Sequence, residues 1–147
     1  MTQITPPAIS MRAATKKFAT PGGSAFTALL DVDLEVAPGE FVSIVGPTGC
    51  GKSTALSLIS GLEPATSGTI EVNGKAVTGI PEGVGYMFQT DAVLPWKNVL
   101  DNVGIGLRYR KVNRDEARER SRQWIDRVGL TAFEDRYPHQ LSGGMLK

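Results

Sequence analysis

Leu30, Val32, Leu34 and Val36 recur at every second position, an alternation that predicts a strand over residues 26–36 with one face on a core. A second strand is predicted just before it, over residues 8–18. Pro21, Gly22 and Gly23 punctuate the gap as a turn. The apolar run FVSIV at residues 41–45 has the composition of a parallel strand buried between neighbours. It leads through a glycine-rich stretch into a helix over residues 52–60, which Gly61 and Pro64 stop. TIEVNGKAV at residues 69–77 then predicts two short strands joined through Asn73-Gly74, a strong hairpin signal. GVGYMFQ at residues 83–89 predicts one more strand, which delivers Gln89 to a loop containing Pro95 and Trp96.

The last third changes period. Asn113 predicts a helix cap with Glu116 three residues on, and Ala117, Ser121, Trp124, Ile125 and Val128 then share one face until Gly129 closes the helix. On that stripe Trp124 is expected to pack in the core rather than stack on a base. Arg118, Glu119, Arg122 and Asp126 form the solvated face. The pattern as a whole describes an α/β core beside an antiparallel β lobe, followed by a helical part.

Composition narrows the class. The 147 residues are 41% hydrophobic and 21% charged, enough for a globular chain with one core and appended lobes. A net charge of +1 supplies no bulk attraction to nucleic acid, and Arg108, Arg110, Lys111 and Arg114 read as a solvated helix end; no nucleic-acid partner is expected. A single cysteine excludes an internal disulfide framework and suits a reducing compartment. The leader MTQITPPAISMR lacks the cationic start and apolar core of a secretion signal. No apolar run approaches the roughly 20 residues that a membrane span needs.

Chemistry concentrates in GPTGCGKST, formed by Gly46, Pro47, Thr48, Gly49, Cys50, Gly51, Lys52, Ser53 and Thr54. Gly46, Gly49 and Gly51 free the backbone to wrap an anion, and the following helix points its positive end at the same place. With a strand before it and a helix after it, the stretch reads as a phosphate cradle for a nucleoside triphosphate. Lys52 would reach the β- and γ-phosphates and the Ser53 hydroxyl would ligate Mg²⁺, with Thr54 a further phosphate contact. Cys50 occupies a free position and reads as a small filler. Ser142, Gly143 and Gly144 of LSGGM begin a helix, so their hydroxyl and amides form a second anion site.

With the glycine loop, Gln89 after a strand, a helical segment and then LSGGM, the chain resembles the ATP-binding subunit of ABC transporters along nearly its whole length. It is most similar to the nitrate, sulfonate or taurine importer group, on MFQTDAVLPWKNVLDNV at residues 87–103 and on VGL and RYPHQLSGGM between residues 128 and 145. The resemblance implies a P-loop NTPase core with an antiparallel β subdomain and a helical subdomain, the C-terminal part of the core sheet missing. Residues 1–95 would be the nucleotide core with its β subdomain, and residues 96–147 the helical subdomain with the signature motif.

The resemblance also implies ATP and Mg²⁺ as ligands, and import of a small oxyanion or sulfonate as the work. Phe18 matches the aromatic residue that stacks on adenine, against the alternative of an exposed phenylalanine at a strand end. Gln89 matches the glutamine that touches Mg²⁺ and senses the γ-phosphate, which makes Lys52 and Gln89 the catalytic groups present and Ser53 and Gln89 the metal contacts. The Ser142 turn would hold the γ-phosphate bound by a second ATP-binding subunit in a head-to-tail dimer. Residues 89–96 would meet a membrane-spanning permease, with Trp96 either a docking anchor or a half-buried loop residue. That places the chain in the cytoplasm, on the inner face of the membrane through the permease.

The family's magnesium-binding aspartate, the adjoining glutamate and a later histidine are expected beyond Lys147, and His139 reads as a surface residue rather than a substitute. On this reading the chain binds nucleotide, hydrolyses it at background rate and is marginally stable. A non-catalytic nucleotide-binding module and a small P-loop kinase are the alternatives; the kinase explains neither LSGGM nor Phe18.

Overall fold

In a computed structural model of the chain, residues 6–90 and 92–146 are described. Asp91, Lys147 and the first five residues of the leader lie outside that description. The chain forms two compact units, Met1–Tyr86 and Met87–Lys147.

The first unit is built on strands β1 (Ile9–Ala19), β2 (Ala25–Val36), β3 (Ser67–Val72) and β4 (Lys75–Ala76), with helix α1 (Lys52–Ile59) between β2 and β3. All neighbours are antiparallel, in the order β2-β1-β3-β4. The predicted hairpin is present: Asn73 and Gly74 both take positive φ, the conformation that a two-residue turn matching the strand twist requires. Met11, Ala14, Leu29, Ala55, Leu58, Ile59, Ile70 and Val72 form the core of this unit, so α1 covers the sheet with Ala55, Leu58 and Ile59.

The expected alternation along β2 breaks at one place. Val32, Leu34 and Val36 pack toward the core as predicted, but Leu30 is 65% exposed and Leu29 is buried instead. The cause is a change of register: Ala14 pairs with Val32 whereas Lys16 pairs with Leu29, and a one-residue slip moves side chains to the opposite face. Asp31 sits in the irregularity at φ 47°, where its carboxylate accepts from Thr15 Oγ1 at 3.1 Å and its amide donates to the same hydroxyl at 3.0 Å. A second such tie joins the Ala13 amide to Asp33 Oδ1 at 2.7 Å.

Two predicted strands are absent. Residues 41–45 take no regular structure and are exposed, Phe41 at 91% and Val45 at 87%, and residues 83–89 take no place in the sheet. Apolar composition fits a segment for burial, but a parallel strand exists only where neighbours complete its ladder. No other described strand lies beside either segment.

The second unit is helical: α2 (Val99–Val103), α3 (Ile105–Tyr109), α4 (Arg114–Arg127), two 3₁₀ turns (Thr131–Phe133 and Pro138–Gln140) and α5 (Gly143–Leu146). Asn98 caps α2 by accepting from the Asp101 amide, while the Val99 and Leu100 amides donate to the carbonyls of Arg136 (2.9 Å) and Glu134 (3.0 Å). Asn113 caps α4 through the Asp115 amide at 2.9 Å, as its sequence position predicts. Val99, Leu100 and Ile125 are the core, with Leu130 and Leu141 packed on them.

Trp124 is a correction. It is 57% exposed, and its ring is stacked by the Arg127 guanidinium at 4.7 Å. The buried line of α4 is Ala117, Ser121 and Ile125, at intervals of four residues. Small residues on that line let α2 and α3 approach closely, since a Cβ at Gly104 would already stand 3.0 Å from Ser121 Oγ. Trp124 and Val128 fall to the side of this narrow seam and remain exposed.

Candidate functional site

The glycine loop is anchored to the irregular part of β2. Gly51 caps α1 at φ 96°, a backbone region that L side chains rarely adopt, and a Cβ there would stand 2.6 Å from Leu29 Cδ2 and 2.7 Å from the Ala28 carbonyl oxygen. Only glycine lets the loop sit this close to the strand. Beyond it, the amides of Lys52, Ser53 and Thr54 open α1 with no intrahelical acceptor and no side-chain cap. These donors and the helix dipole concentrate positive potential at one end of α1.

Lys52 lies across the loop. Its Nζ donates to the carbonyls of Gly46 at 2.9 Å and Pro47 at 2.7 Å, and passes 3.7 Å from Cys50 Sγ. The loop itself turns through a bond from the Cys50 amide to the Pro47 carbonyl. Thr48, Gly49, Cys50 and Ser53 are exposed, so the Ser53 hydroxyl is accessible beside the free amides. Residues 46–54 therefore form a largely exposed loop that runs into the positive end of α1.

Phe18 is the next-to-last residue of β1, paired with Phe26 and 36% exposed. Beneath its ring lies the ammonium of Lys16, 4.8 Å from the centroid. Lys16 is buried, and the sequence pattern gave no sign of it.

In the second unit, Gln89 is exposed in a bend. Trp96 is 70% exposed, so it is not the half-buried residue that one reading of its loop allowed. What fixes this loop is Asn102, another residue that periodicity does not reveal. Its Oδ1 accepts from the Leu94 amide at 2.8 Å, and its Nδ2 donates to the carbonyls of Leu94, Lys97 and Asn98 at 3.2, 2.9 and 3.0 Å.

Ser142, Gly143 and Gly144 are exposed at the start of α5, where the Met145 amide donates to the Ser142 carbonyl at 2.9 Å. Gly144, Met145 and Leu146 line an apolar cleft of about 350 Å³ with Val99, Val103 and Leu141. His139 is exposed and stacked on Tyr137, with ring centroids 5.9 Å apart. Among the described residues no group of three His, Cys, Asp or Glu could hold a metal ion, and no helix is long and apolar enough to cross a membrane.

A strand-seated glycine loop opening a helix, with an antiparallel sheet and a helical unit, defines a P-loop cassette. The family described as ABC transporter matches residues 29–147, and the chain belongs to that family. Over 121 residues it is 46% identical to the taurine import ATP-binding protein TauB of Burkholderia thailandensis, covering 82% of this chain and 46% of that protein. The nitrate import ATP-binding protein NrtC of Synechococcus elongatus is 44% identical over 130 residues, which cover 87% of this chain and 20% of that one. The Fe(3+) ions import ATP-binding protein FbpC 1 of Rhizobium meliloti is 42% identical over 147 residues, 98% of this chain and 40% of its own length.

The chain thus spans less than half the length of these curated relatives. Among solved structures, a dimeric post-hydrolysis state of an ATP-binding cassette bound to ADP and Pi superposes with a TM-score of 0.81 and 29% identity. That match covers 94% of this chain and 65% of that one. Family and fold agree with the reading of the glycine loop together with LSGGM.

Proposed function

We propose that this chain supplies the nucleotide-binding part of an ABC importer's ATP-binding subunit. The observation that carries the reading is the seating of Gly51 on β2, which holds the first-turn amides of α1 and the Lys52 ammonium at one glycine loop. In it Gly46, Pro47, Thr48, Gly49, Cys50, Gly51, Lys52 and Thr54 hold the triphosphate of ATP, and Lys52 exchanges its carbonyl partners for phosphate oxygens. The exposed Ser53 hydroxyl is a hard oxygen donor of the kind Mg²⁺ accepts alongside phosphates and water, and the metal would neutralise phosphate charge. Phe18 offers its ring to the adenine.

Gln89 serves as the residue that reports on the γ-phosphate and its metal, and Ser142, Gly143 and Gly144 serve the nucleotide of a second subunit in a head-to-tail dimer. Their outward exposure at the start of α5 supports that use. The exposed Trp96, on a loop clamped by Asn102, is the contact to a membrane-spanning permease, which holds the chain at the cytoplasmic face. The similarity to taurine and nitrate import proteins supports a small sulfonate or oxyanion as cargo.

Titration calorimetry with Mg²⁺-ATP tests the assignment. Lys52→Ala should weaken binding roughly tenfold to a hundredfold, the range of a lost charge-assisted hydrogen bond. Ser142→Ala should leave binding intact and reduce ATP-dependent pairing in sedimentation velocity. Unchanged affinity and pairing in both variants would refute it.

A further inference from the structure

We infer that Lys16 is a positioning residue for base recognition, acting through Phe18; the inference rests on the nucleotide-binding reading above. The side chain of Lys16 is 8% exposed, and its ammonium is held from two sides, by Glu63 Oε2 at 2.8 Å and by the Pro64 carbonyl at 2.8 Å. An ammonium has three donor directions, and two are used here. The remaining side faces the Phe18 ring, 4.8 Å from its centroid.

Two consequences follow for the ring. Lys16 occupies one face of it, so an arriving base has the opposite face to stack on. A cation on one face also draws π density toward itself, which favours an electron-rich purine on the other. The ammonium is too well tied to reach the ligand and acts only by fixing and polarising the ring.

The placement also joins base and phosphate recognition. Lys16 pairs with Leu29, and the register shifts between Lys16 and Lys17. Leu29 and the adjacent Ala28 are the residues that seat Gly51. Register shifts on both sides of Lys16 in the β1–β2 pair therefore place the ring and the seat of the phosphate loop together. Glu63 and Pro64 follow α1, so the helix that opens with the phosphate amides carries the anchor of Lys16 just past its far end.

The test is calorimetric titration of the 147-residue chain with Mg²⁺-ATP and, separately, with Mg²⁺-tripolyphosphate, which has the phosphates and no base. Lys16→Met should bind ATP about fivefold more weakly, the cost of immobilising on binding a ring that Lys16 no longer holds in place. Tripolyphosphate affinity should not change. Lys16→Arg should restore most of the ATP affinity, and Lys16→Met should cost nothing further in a Phe18→Ala background. Wild-type ATP affinity in Lys16→Met, equal losses for both ligands, or a loss that persists without Phe18 would each overturn the inference.

Where Lys16→Met does not fold, Glu63→Gln keeps the ammonium and weakens its anchor, and an unchanged preference for ATP over tripolyphosphate would overturn it equally. A wild-type chain that binds neither ligand refutes the phosphate-loop reading itself. One that binds both, with Lys16 indifferent, refutes this inference alone.

Discussion

Replacing Gly51 by alanine is the sharpest probe of how the phosphate loop is held. Two costs add. A non-glycine residue at φ 96° carries a left-handed backbone penalty of about 1–2 kcal/mol. The new Cβ also meets Leu29 Cδ2 at 2.6 Å and the Ala28 carbonyl at 2.7 Å. The leucine end can swing aside, but the carbonyl belongs to β2 and moves only with the strand, an overpacking cost of about 1–3 kcal/mol.

Gly49 is the natural control. It has a similar φ of 85° with nothing within 4 Å of its Cβ position, so Gly49→Ala should show the backbone penalty alone. With a urea m-value of about 1.5 kcal/mol/M, the midpoints of the two variants should differ by about 1 M, Gly51→Ala the lower. Urea titration followed by far-UV circular dichroism measures this. Coincident midpoints would show that β2 does not seat the loop, and the geometric argument for the cradle would fail.

Two further outcomes are expected in the helical unit. Ile125→Ala should destabilise by about 2–5 kcal/mol and Trp124→Ala by under about 1 kcal/mol, since one empties the core and the other frees an exposed ring; the reverse ranking in urea unfolding would contradict the packing of α4. Asn102→Ala removes four hydrogen bonds and should cost about 2–3 kcal/mol locally, seen as faster hydrogen exchange at Leu94 with β1 amides unchanged. Unaltered protection at Leu94 would exclude the clamp.

The contrast between Asn73-Gly74 and residues 41–45 shows where sequence reading stops. A two-residue turn is specified by the φ its own residues tolerate, so β3 and β4 were legible, as were the caps of α4 and the ends of β1 and β2. Strand pairing is not local. The same apolar residues 41–45 that fit a buried parallel strand are exposed, because nothing in a single segment says who its neighbours are. Leu30 failed for a related reason: an irregularity at Asp31 changes which face a position takes, and the alternation itself does not register it.

Of the candidate site, the glycine loop that opens α1 was legible as local structure, since it lies in consecutive residues. Lys16, Ala28 and Asn102 were not. Each acts through a contact that the fold creates: an ion pair to Glu63, a close approach to Gly51, a clamp on Leu94.

The amides of Val99 and Leu100 find their acceptors on the carbonyls of Arg136 and Glu134, and this sets an order of events on the ribosome. The β1–β2 hairpin can zip as soon as both strands have emerged, its turn closed by the bond from the Thr20 amide to the Ser24 carbonyl. At the start of α2, Asn98 closes the Asp101 amide locally, but the Val99 and Leu100 amides have no local acceptor. At about 5–20 residues per second, they wait roughly two to seven seconds for the later segment to arrive. Throughout that interval Val99 and Leu100 are open to chaperones, and α2 gains these two acceptors only after Glu134 and Arg136 have emerged.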